Sequence, residues 1–287
     1  MRSVFITTAD GVRLPFDWYP TDGPERAALL VIHGYADHGL RYRAVAERFA
    51  SEGFAVATYD FRGHGRAEGQ RGHCQSFDEY LTDLECALAA VRATDPQAPI
   101  CLLGQSLGSL IALRYLSSSE RESGQVFAAI LTSPYIALAM PVSPIKVALA
   151  RLLSGPFPRL TMSNGLRGEV ISSDSNLGRD FDSDPLVHHA ATARWFTETA
   201  AAQGAILDAV GRLSVPTLWL AGDADRIADV AATRAAYARA GGSKRLIVYD
   251  GRSHELWNEA DGDAVFRDAL RWLDGELREG GMPASPG

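Results

Sequence analysis

Cysteine is scarce in this chain of 287 residues: only Cys74, Cys86 and Cys101 occur. An odd number without paired spacing is no disulfide framework, and no two of them stand at metal-ligand spacing. Long hydrophobic runs are missing as well. No stretch of about 18 apolar residues occurs, so no transmembrane helix is expected. The first residues, MRSVFITTADG, lack the apolar centre of a signal peptide. Reduced cysteines and the lack of a targeting signal lead us to expect a cytoplasmic protein. Positive charge is not in excess either. Lys and Arg number 28 against 35 Asp and Glu, a formal net charge of −7, and an acidic surface argues against nucleic acid as a partner. What the chain does have is apolar residues, 46% of the total, enough for a large core.

Those apolar residues are arranged in alternating patterns. Val4–Ile6, the turn dipeptide Asp10-Gly11 and Val12–Trp18 predict a hairpin. Ala27–Ile32 is continuously apolar, as suits a strand buried on both faces. A helical stripe follows over Tyr42–Ser51, then a strand over Phe54–Tyr59, then a long amphipathic helix over Phe77–Arg92 with Leu81, Leu84, Leu88 and Val91 on one side. The alternation continues with a strand at Ile100–Leu103, a helix at Leu107–Leu116 and a strand at Ala128–Thr132. It resumes with a strand at Thr217–Ala221, a helix at Val230–Ala240, a strand at Leu246–Tyr249 and a helix at Ala264–Leu277. Strands alternating with helices predict an α/β fold on a mostly parallel sheet of about eight strands, the first pair antiparallel.

The interruption is too long for a connection. We read residues 1–134 and 211–279 as the core, 135–210 as an inserted cap or lid, and 280–287 as a disordered tail rich in Gly, Pro and Ser. The insertion has a helical face at Ile145, Leu149, Leu152 and Leu153, a candidate helix at Ala190–Ala202, and a polar stretch from Ser163 to Asp184. An insertion after a strand's C-terminal end lies over the crevice where open α/β sheets bind ligands.

Chemistry concentrates at loops that follow strands. Gly104-Gln105-Ser106-Leu107-Gly108 sits between an apolar strand and a helical segment, the context of a nucleophile elbow. Glycine on either side lets strand and helix approach around a strained Ser106, whose place at a helix N-terminus favours developing negative charge. His33-Gly34 follows another strand. The backbone N–H groups of Tyr35 and Leu107 are the expected oxyanion donors, and His33 reads as a structural histidine bonded to a nearby carbonyl. Downstream of Ser106, His188 and His189 fall in the insertion and read as surface or cap residues, whereas His254 follows a late strand and is the candidate base. Asp223, Asp225 and Asp229 compete for the acid. Spacing favours Asp225, while Asp223 can cap a turn and Asp229 the helix from Val230. Ser106, Asp225 and His254 make a triad needing neither metal nor organic cofactor. The loop Arg62-Gly63-His64-Gly65-Arg66 reads as structural rather than as an anion site.

These pieces together resemble the monoacylglycerol lipase and lysophospholipase group of α/β-hydrolases. The matching residues are His33-Gly34 with Arg41-Tyr42, Asp60 through Gly69, Gln105-Ser106-Leu107-Gly108, Ser183-Asp184-Pro185-Leu186, Gly222 with Asp225-Arg226, and Ser253-His254-Glu255-Leu256. The order Ser, acid, His is that of this fold. The resemblance implies hydrolysis of esters with one fatty acyl chain, and a mobile apolar cap over the site. Two departures stand out: Gln105 where the group usually has His, and bulky Tyr35 where it usually has a small residue. Residues 165–182 are also hard to match. The expected partner is a small-molecule or lipid ester. The insertion's apolar residues line an acyl channel, touch a membrane or pack on the core. Alternative activities on the same fold are a peptidase of the prolyl-aminopeptidase type, a small-molecule carboxylesterase, and haloperoxidase-like or C–C bond hydrolysis. A ligand receptor on this fold usually lacks a triad member; here all three are present.

Overall fold

The computed structural model describes residues 1–21, 23–119, 121, 126–259 and 262–279. The expected hairpin is strands β1 (Arg2–Thr7) and β2 (Arg13–Tyr19), paired antiparallel. Strand β3 (Ala27–Ile32) runs into helix α1 (Arg43–Ser51), β4 (Phe54–Tyr59) into α2 (Asp78–Thr94), β5 (Ile100–Gln105) into α3 (Leu107–Leu116), and β6 (Val126–Thr132) into the insertion. After it come β9 (Thr217–Gly222), α8 (Val230–Arg239), β10 (Lys244–Tyr249) and α9 (Gly262–Glu279). The eight strands lie in the order β1-β2-β4-β3-β5-β6-β9-β10. The pairs β1/β2 and β2/β4 are antiparallel and the rest parallel.

Continuous apolar runs form the central strands because both sheet faces are covered. Successive side chains of a strand point to opposite faces. Ala28, Leu30 and Ile32 of β3 therefore pack with α2 and α3, through residues such as Leu84 and Leu110. Ala27, Leu29 and Val31 pack on the other side with Phe49 of α1 and Phe266 and Leu273 of α9. Every residue of β3, β4 and β5 is buried.

The segment between β6 and β9 contains α4 (Pro144–Leu153), β7 (Thr161–Ser163), α5 (Gly168–Ile171), α6 (Ser175–Ser183), β8 (Ala190–Thr192) and α7 (Ala193–Ala209). Strand β8 pairs antiparallel with β7, so the helix expected from Ala190 starts at Ala193, where the Thr192 hydroxyl accepts the Trp195 N–H. The polar stretch holds α5 and α6, which periodicity did not predict. Of α6 only Gly178 and Phe181 are buried, too few apolar residues to mark a face. Helix α7 joins the main core through Trp195, Ala202 and Ile206. The tail 280–287 lies outside the described residues.

The basic loop after β4 is committed to structural ion pairs. Arg62 holds Asp83 at 2.6 Å and Asp10 at 2.7 Å, and Arg66 holds Asp17 at 2.5 Å and Asp60 at 3.2 Å. With both guanidiniums paired, the loop is no anion site.

Candidate active site

Ser106 joins β5 to α3 with φ +53° and ψ −113°, a conformation that side-chain-bearing residues adopt only under constraint. Its flanking glycines supply the constraint. A Cβ on Gly104 would lie 2.7 Å from the Ser109 backbone nitrogen, and one on Gly108 would lie 1.9 Å from the Ile32 carbonyl oxygen. Helix α3 can press against the sheet only without those atoms. The Ser106 N–H donates to the Thr132 carbonyl at 2.9 Å, fixing the turn. Among the described residues the Ser106 hydroxyl makes no hydrogen bond, and it opens on a cavity shared with His254.

Of the three candidate acids, the one that meets His254 is Asp225. Its Oδ1 accepts the N–H groups of Ile227 (2.8 Å) and Ala228 (2.9 Å), and its Oδ2 accepts the His254 Nδ1–H at 2.7 Å. That carboxylate thus fixes the ring tautomer and leaves Nε2 with a lone pair. Asp223 instead accepts the Gly251 N–H at 2.6 Å, and Asp229 caps α8 through the N–H groups of Ala231 and Ala232. Burial opposes the charged form of His254. The Asp225 charge and hydrogen bond, followed by Glu255 and Asp37, outweigh it and raise the pKa above 6.5.

Sequence reasoning missed the residues that hold the loop of His254 in place. The His254 carbonyl accepts the Gln105 side-chain N–H at 3.1 Å and the Ser133 hydroxyl at 2.8 Å. Gln105 precedes Ser106, so the His254 loop and the elbow are tied together there, and its departure from the group's usual His was the available signal. Arg41 forms a second tie, pairing with Asp37 at 2.9 Å and with Glu255 at 2.5 Å. It joins the loop after β3 to the residue following the base.

The loop after β3 lies beside Ser106: a Cβ on Gly34 would be 3.6 Å from the Ser106 Cβ. His33 braces that loop. Its Nδ1–H donates to the Gly34 carbonyl at 2.8 Å and its Nε2 accepts the Phe61 N–H at 3.3 Å, while burial holds its pKa below the usual value. Among the described residues, the N–H groups of Tyr35 and Leu107 donate no backbone hydrogen bond. The insertion brings His188 into the interior, 4.6 Å between ring centroids from His64, and leaves His189 exposed.

The cavity measures about 400 Å³ and is largely apolar. Leu138, Met140, Phe181 and Trp195 of the insertion form much of its wall. A base role for His254 requires the neutral ring, so turnover should fall as pH drops through its raised pKa. The acid limb of kcat/KM is expected above pH 6.5. Glu255→Gln removes one of the charges that favour imidazolium and should move that limb to lower pH; an unmoved limb would refute the influence of Glu255.

A sequence profile of the Hydrolase_4 family, described as serine aminopeptidase, S33, matches residues 23–261. The chain is 32% identical to a monoacylglycerol lipase of Mycolicibacterium smegmatis over 93% of its length and 95% of that protein's. It is 30% identical to the monoglyceride lipase of Rattus norvegicus over 98% of its length and 93% of that protein's. The crystal structure of the monoacylglycerol lipase of Paleococcus ferrophilus superposes with a TM-score of 0.82 at 26% identity, over 92% of this chain and 99% of that one. Elbow, strand order and similarity over nearly the whole length agree: this chain belongs to the α/β-hydrolases of the Hydrolase_4 family, in the monoacylglycerol lipase group.

Proposed function

We propose that this chain hydrolyses monoacylglycerols, with Ser106 as nucleophile, His254 as general base, Asp225 as the residue that orients the base, and the Tyr35 and Leu107 N–H groups as oxyanion donors. The observation that carries this reading is the 2.7 Å bond from the His254 ring to Asp225, on a ring that shares its cavity with the serine of a strained elbow. His254 Nε2 takes the Ser106 proton as the oxygen attacks the ester carbon, then delivers it to the departing glycerol oxygen. Water attacks the acyl-enzyme by the same route and releases the fatty acid. The two N–H groups hold the oxyanion in each half, and the carboxylate stabilises the transient imidazolium.

An aminopeptidase on this site would need an unpaired carboxylate for the substrate's ammonium. The two acids that line the cavity, Asp37 and Glu255, are both held by the single guanidinium of Arg41, so neither presents a free carboxylate to an ammonium. One observation supports a second reading, a lysophospholipid. Lys146 lines the same cavity, is exposed, and has no ion-pair partner among the described residues, so its ammonium can meet a phosphate.

Residues 135–210 act as the cap. On α4 and the turn after it, Ile145 (79% exposed), Leu152 (71%) and Phe157 (62%) face outward, an amphipathic pattern that suits the surface of a lipid aggregate. No helix of the described residues is long and apolar enough to cross a membrane, so contact through this face is peripheral.

Four outcomes are expected. Ser106→Ala should abolish ester hydrolysis in protein that melts like the wild type, and Asp225→Asn should lower kcat about 10⁴-fold through the wrong imidazole tautomer; wild-type turnover in either refutes its role. Lys146→Ala should raise KM for lysophospholipids and leave monoacylglycerols unaffected, and equal effects on both would remove the phosphate reading. The double change Ile145→Glu and Leu152→Glu should weaken binding to phospholipid vesicles in a sedimentation assay, with hydrolysis of dissolved p-nitrophenyl acetate unchanged; undiminished binding refutes the docking face.

A further inference from the structure

The residue proposed to donate its N–H to the oxyanion also carries a large side chain, for which the reaction as derived has no use. That ring is lodged in the insertion. It stacks on Trp195 at the start of α7, with centroids 3.8 Å apart and planes 26° from parallel. Its hydroxyl donates to the Ala190 carbonyl of β8. His64 and His188 meet it edge to face at 5.3 and 5.2 Å. The fit has no slack on the core side. Gly72 has φ +63°, and a Cβ there would lie 2.7 Å from the Tyr35 hydroxyl and 2.1 Å from the Ala190 oxygen. The Gly72 carbonyl in turn accepts the Thr192 N–H at 2.9 Å.

Neighbouring residues of the loop make the same connection. His38 Nε2 bonds Asp184 at 2.9 Å, and the His188 N–H donates to the Ala36 carbonyl at 3.4 Å. Between Tyr35 and His38 the chain passes through Ala36 at φ +64°, a conformation that alanine keeps only when its surroundings enforce it. Tyr35, Ala36 and His38 are therefore all fastened to residues 184–195 of the insertion, and the Tyr35 side chain is the largest of the fastenings.

We infer that Tyr35 is a positioning residue: its side chain clamps the oxyanion loop to residues 190–195, which are themselves bound to the core, and so aims its own backbone N–H at the reacting carbonyl. The inference rests on the oxyanion reading proposed above. Without the ring the loop loses its largest hold on residues 190–195, and the donor is no longer held in line. A ring that served only as cavity wall would act differently, altering KM for long acyl chains and leaving the rate of the bound complex alone.

Tyr35→Ala keeps the backbone donor and removes the clamp. Because misplacing a catalytic group by about 1 Å costs up to 10²-fold, kcat should fall about tenfold to a hundredfold for p-nitrophenyl acetate and for a long-chain monoacylglycerol alike, with KM changing less than about twofold. Trp195→Ala should reproduce the kcat loss, and the double variant should add little to it, because both changes release the same clamp. Wild-type kcat in Tyr35→Ala, with KM altered for the long ester alone, overturns the inference. Thermal melting checks the fold. Where Tyr35→Ala does not melt like the wild type, Tyr35→Phe decides, since it keeps the ring and loses only the bond to Ala190: a kcat lowered about threefold or more supports the clamp, and wild-type kcat overturns it. Ser106→Ala in the same assays separates the two readings. Activity that survives there overturns the nucleophile, whereas a dead Ser106→Ala beside an unaffected Tyr35→Ala overturns the clamp alone.

Discussion

Gly108 lies so close to β3 that a Cβ would sit 1.9 Å from the Ile32 carbonyl oxygen, and this contact governs the geometry of the site. It lets α3 press its N-terminus onto the sheet, which forces the preceding turn into the φ +53° conformation of Ser106. Such strain costs about 1–3 kcal/mol and persists only where the surroundings over-determine it. Here the Thr132 carbonyl holds the Ser106 N–H, and the Ser109 hydroxyl bridges to the Gly104 and Thr132 carbonyls. The fold supplies the strain, and the reward is a hydroxyl raised clear of the sheet.

Around that elbow three loops must agree in position, and polar bonds between them supply the agreement. Gln105 and Ser133 hold the carbonyl of His254, Asp225 holds its ring, and Arg41 spans Asp37 and Glu255. Buried ion pairs of this kind add little net stability because desolvation offsets their attraction. Their effect is on register: each loop is fixed relative to the others and not merely to its own strand. The same charges tune the base, since Asp37 and Glu255 both favour imidazolium.

The insertion closes the apolar side. Its α7 is continuous with the main core through Trp195 and Ile206, whereas α4 turns Ile145 and Leu152 to solvent. One segment thus combines a helix anchored in the core with an outward apolar face, and it walls a cavity of about 400 Å³. The loop after β3 is bonded to this segment at three positions, through Tyr35, Ala36 and His38.

The α/β alternation can be read from the chain alone, because burial on one or both faces of an element imposes a local period that apolar residues display. Strands at Ala27–Ile32 and Ile100–Leu103 and the helix at Leu107–Leu116 were legible in that way, as were the elbow's glycines and the capping role of Asp229. The short helices α5 and α6 were not, since a turn or two with few buried residues shows no period. Folding alone brings Gln105 to His254 across 149 residues, Tyr35 to Ala190 across 155, and Arg41 to Glu255 across 214. Periodicity reports what a residue does against its own element's neighbours. Bonds between loops depend on how the sheet's strand order sets distant turns side by side, and that order is written in no single stretch of chain.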